Sequence, residues 1–87
     1  MGSFDEARAA CATFKQQATK AIGQLQAGGQ EVTAAQQAFR TRLGTTSNPK
    51  VLEVEARCQD ARQKVAEAIQ VLMAANEAAI QFAAGLQ

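Results

Sequence analysis

The chain has 87 residues, a net charge of +1, 20 Ala, 12 Gln, one Pro, and no His, Trp or Tyr. This length holds one domain (1–87) with a modest core, near the lower limit at which a chain folds without staples or association. The composition favours helix over sheet. The missing His removes the commonest general base and metal ligand, and the near-zero charge argues against a dedicated nucleic-acid binder.

The start, Met1-Gly2-Ser3-Phe4-Asp5-Glu6, lacks the basic opening and apolar core of a secretory signal. Glu6 stands where a myristoylation pattern needs Ser or Thr, and no apolar run approaches the roughly 20 residues of a membrane span. The expected location is the cytoplasm, and any export would use a route that reads no cleaved signal peptide.

Ser3 and Glu6 have the spacing of a capping box, in which hydroxyl and carboxylate each satisfy an orphan amide of a first helical turn. Behind them Phe4, Cys11, Ala18, Leu25, Val32 and Phe39 recur every seven residues. Ala7, Phe14, Ala21 and Ala35 interleave, with Ile22 and Leu43 widening the stripe. That heptad spacing predicts one helix over about 4–43. Gly28-Gly29 is its weak point, since each Gly costs about 1 kcal/mol against Ala. The phase passes through the pair without slipping, which favours continuity over the alternative of three shorter helices in a bundle.

Gly44 stops the first helix, the turn occupies 44–48, and Asn48-Pro49 supplies a cap and a first-turn Pro for the second. Val51, Cys58, Val65, Leu72, Ala79 and Leu86 form a second seven-residue series. Val54, Ala61, Ala68, Ala75 and Phe82 interleave, flanked by Ile69, Met73 and Ile80. The second helix is predicted over 49–84. The fold class is therefore all-α, an antiparallel two-helix hairpin about 60 Å long.

One hairpin buries one stripe per helix. Leu52, Val71 and Phe82 fall outside the main stripe, and this surplus predicts association into a four-helix bundle, with a second copy or with another helical protein. The core and interface candidates are Phe4, Phe14, Leu25, Val32 and Phe39 on the first helix and Val65, Leu72, Asn76, Ile80 and Phe82 on the second. Asn76 lies near the middle of the second helix's apolar stripe, and Gln36 occupies a similar position on the first. They either fix register at some cost in stability or reach water at a loosely packed place.

Little here points to chemistry. Cys11 and Cys58 would lie about 35 Å apart along such a rod, against the roughly 6 Å between Cα atoms that a disulfide allows. They read as small buried hydrophobes, and a thiol sensor would need pairing between chains. Two Cys without His make no standard zinc site. Most of the charge lies between Arg40 and Glu67 in alternating sign, the pattern of a salt-bridged, solvated face, while the last twenty residues hold only Glu77. No Gly-rich loop follows a strand. The expectation is no catalytic residue, no cofactor, no metal, no small-molecule substrate, no nucleic-acid partner and no membrane insertion.

This layout of capped helix, short turn (Gly44-Thr45-Thr46-Ser47-Asn48-Pro49) and second helix, without a signal peptide, resembles the WXG100 or ESAT-6-like superfamily. Those are helical hairpins of actinobacteria and firmicutes that dimerise as four-helix bundles, and pass through type VII secretion systems or escort other proteins to them. The resemblance implies a non-catalytic partner or escort protein. The family's Trp-x-Gly turn is absent, with Leu43-Gly44 followed by Thr45. Its carboxy-terminal export signal is absent too, since Phe82 is followed four residues on by Leu86. No functional residue carries over. The competing expectation is a coiled-coil adaptor or structural homo-oligomer with no secretion role.

Overall fold

Two long runs made mostly of strong helix formers, separated by Gly44 and the capped Pro49, leave the chain two helices and one place to turn. The computed structural model describes residues 3–44 and 46–86. It consists of α1 (Ser3–Leu43) and α2 (Pro49–Ala84), packed side by side as an antiparallel hairpin. Both helices match their expected bounds to within one residue. Of the expected turn, Thr45 lies outside the described residues. Ser3 is already helical, so it does not cap α1, and the expected Ser3–Glu6 capping box is not formed among the described residues.

Local chemistry accounts for the ends. Asp5 and Glu6 lie in the first turn of α1 and Arg40 and Arg42 in its last, charges of the sign that the helix dipole favours at each end. Gly44 closes α1 with φ +62° and donates its N–H to the Arg40 carbonyl at 2.8 Å, a left-handed cap that glycine adopts without strain. Across the turn, Asn48 Oδ1 accepts from the Lys50 N–H at 2.9 Å, and the Asn48 N–H donates to Thr46 Oγ1 at 3.1 Å. Pro49 then occupies the first turn of α2, where no amide proton is needed.

α1 runs unbroken through Gly28 and Gly29, so the three-helix alternative does not hold. The two glycines differ. A Cβ on Gly29 would lie 3.4 Å from Val65 Cγ1, whereas one on Gly28 would meet nothing within 4 Å. Gly29 thus permits a close helix approach; Gly28 has no such reason within one hairpin.

The rod measures 65 × 15 × 13 Å, with a radius of gyration of 19.5 Å. A compact globule of this length would have about 12 Å. Cross-helix pairs mark the register: Arg40 with Glu55, Arg62 with Gln36, and Arg8 with the Leu86 carbonyl. Among the described residues only Ala18 and Gln36 are buried, at 4% and 7% exposure, and no large side chain is fully enclosed. The interleaving position expected at Ala35 is exposed, while its neighbour Gln36, also expected in the stripe, faces inward. A straight helix drifts about 20° per heptad from a 3.5-residue repeat, and by the fourth heptad that drift has moved the seam on by one residue.

Candidate protein-docking surface

The sequence-derived candidates divide into two groups. Leu25, Val32 and Phe39 of α1 and Val65, Leu72 and Asn76 of α2 are half-buried along the seam between the helices. Phe4, Phe14, Ile80 and Phe82 are exposed at 48, 39, 41 and 57%. The reason is geometric. Phe4 projects level with a point beyond Ala84, so α2 offers it no cover. Phe14 is opposed by Ala75 and Ala79, which are too short to cover a ring. Leu43, Leu52, Val54, Val71 and Met73 join the exposed set, Val71 at 68%. Val54, expected within the stripe, lies at its edge.

At the open end of the hairpin, Phe14 and Phe82 line a shallow groove of about 320 Å³ together with Ala7, Ala10, Cys11, Ala75 and Ala79. Small residues opposite one another let the helices approach, and the two rings stay exposed. Ala10 was not among the sequence candidates. Its signal was available in its spacing, three residues after Ala7 and four before Phe14, but a single exposed Ala is unremarkable until the opposing helix is in place.

The turn half has a different surface. Arg40 Nε bonds Glu55 Oε1 at 2.7 Å across the helices. Along α2, Lys50 pairs with Glu53 at 3.3 Å, Arg57 with Glu53 at 3.8 Å, and Lys64 with Asp60 at 3.6 Å. All are surface pairs, each worth well under about 1 kcal/mol. They mark a solvated face rather than a site. A mixed groove at mid-rod is lined by Gln26, Gln30, Thr33 and Arg62 together with Gly29, Val65, Ala66 and Ile69, and Arg62 Nη1 reaches Gln36 Oε1 at 3.4 Å.

Gln36 therefore finds a partner inside the hairpin. Asn76 does not: its Oδ1 is buried without a hydrogen bond among the described residues. Cys11 and Cys58 are free and half-buried towards opposite ends of the rod. Among the described residues no group of three His, Cys, Asp or Glu side chains is close enough to hold a metal ion, and no helix is long and apolar enough to cross a membrane. The surface this geometry offers is an exposed apolar one at the open end. No family profile matches the chain, and neither does any curated protein or solved structure.

Proposed function

We propose that this protein is a non-catalytic assembly module, a helical hairpin that completes its core by packing against another hairpin as a four-helix bundle. One observation carries the reading. The hairpin exposes 6489 Å² of accessible surface, whereas a self-contained monomer of 9.2 kDa would expose about 4,900 Å². Relative to an extended chain, folding thus removes only about half the surface from water, less than the roughly 60% that even a 60-residue domain achieves. The exposed side chains include the large apolar Val71, Met73, Ile80 and Phe82 on α2.

The test is the absolute mass of the purified, reduced chain by light scattering, paired with binding of a dye that fluoresces on apolar surface. A mass of two or more chains supports the module, as does a single-chain mass with strong dye binding. A single chain that melts cooperatively and binds no dye would overturn it.

A more specific role follows from the likeness to the WXG100 superfamily: escort of an effector through type VII secretion, with this hairpin covering the effector's helical region. Its support is the hairpin architecture and length; the missing Trp-x-Gly turn and export signal count against direct recognition by the secretion machinery. Co-expression with a neighbouring helical effector distinguishes it from a plain homo-oligomeric adaptor. The escort role requires that the effector's solubility or export depend on this chain.

A further inference from the structure

We infer that the occupant of the open-end groove is the same groove of a second copy, with the ion-paired turn half left in solvent. This deepens the assembly reading and rests on it.

Area sets the scale. The excess over a self-contained monomer is roughly 1,500 Å² per chain, so two copies together have about 3,000 Å² to hide, within the range of obligate homodimers. Charge sets the place. Lys50, Arg57, Lys64 and Val71 recur every seven residues, so the flank of α2 that is apolar in the open half carries ion-paired side chains in the turn half. Covering the turn half would strip water from these pairs, at a cost their mutual attraction seldom offsets. Covering the open half does not.

Self-complementarity sets the occupant. The open half carries three acids, Asp5, Glu6 and Glu77, and three bases, Arg8, Lys15 and Lys20, so two copies meet without an excess of like charge. The groove also supplies both halves of a fit. Its Ala residues share the groove with a Phe82 that is 57% exposed, so a two-fold axis would lay each Phe82 ring over the partner's small residues.

The experiment measures mass by light scattering for the wild type, Ala10→Glu, Phe82→Ser and Leu52→Glu, with helicity checked by circular dichroism. Ala10 and Phe82 are both exposed in the hairpin, so either substitution leaves its own seam intact; two variants guard against one that fails to fold. The expected result is twice 9.2 kDa for the wild type and Leu52→Glu, and 9.2 kDa for Ala10→Glu and Phe82→Ser at unchanged helicity. Two-chain mass in both groove variants would overturn the inference and leave the assembly reading standing. So would a shift to single chains in Leu52→Glu, which would extend the interface into the turn half. A wild type that stays single-chain at every concentration overturns it as well, and the dye assay then decides separately whether the exposed face awaits a different protein.

Discussion

Gly44, Gly28 and Gly29 illustrate how one residue type serves different ends. At φ +62° Gly44 occupies a conformation that costs other residues about 1 kcal/mol or more, so Gly44→Ala should lower stability by about that amount in urea denaturation. Gly28 is helical with open space around its missing side chain, and Gly28→Ala should raise stability by about 1 kcal/mol. Gly29→Ala should gain less, because its Cβ would press on Val65 Cγ1. Equal gains at both positions would show that the close approach at Gly29 is not maintained in solution. Asn76 is the other informative residue. Its Oδ1 lies buried and unpartnered, a state that costs about 1–3 kcal/mol. Asn76→Leu should therefore stabilise the chain by about 1 kcal/mol and broaden its oligomer distribution, as loss of a register-fixing polar group does. A uniformly dimeric mass after that substitution would remove the register role.

At the scale of the elements, the helices are held more by their caps and seam than by ion pairs. Asn48 satisfies the Lys50 amide at the start of α2, and Asn48→Ala should cost about 1 kcal/mol. The Arg40–Glu55 pair crosses the helices at 2.7 Å, but the Arg side chain is 61% exposed. A double-mutant cycle there should return a coupling below about 1 kcal/mol, falling further with added salt. A coupling of several kcal/mol would mean that the turn half is buried in the assembled protein, contrary to the groove-centred dimer. The two elements also differ in what they spend their apolar residues on. α1 turns most of its large side chains into the seam and leaves Phe4, Phe14 and Leu43 out, whereas α2 leaves six large apolar residues exposed along its length.

For the whole molecule, the ratio of surface to mass governs behaviour. A rod 65 Å long and about 15 Å thick has no interior in which a large side chain can escape water on all sides, so its stability depends on what it packs against. The melting temperature should accordingly rise with protein concentration, as it does when folding and association are one equilibrium. A melting temperature independent of concentration over a hundredfold range would identify a self-sufficient hairpin. The Ala10→Glu variant, if it stays folded as a single chain, should scatter X-rays with a radius of gyration near 19.5 Å, and the wild-type assembly should exceed that value.

Helix identity, helix ends and the antiparallel turn were legible in the residues alone, because heptad spacing, Gly44, Asn48 and Pro49 act locally and their physics needs no distant partner. The continuity of α1 through its double glycine was legible too, from unbroken phase. What lay beyond sequence was the depth to which each stripe residue sinks. The sequence places both Ala35 and Gln36 in the stripe, and the gradual drift of a real helix against a 3.5-residue repeat keeps Gln36 in the seam and turns Ala35 outward. Phe14 and Phe82 lie near the stripe by number and stand exposed in space, because the residues opposite them are Ala. Small residues on one helix leave a groove only when the register brings small residues of the other helix level with them, and that register is decided by tertiary packing.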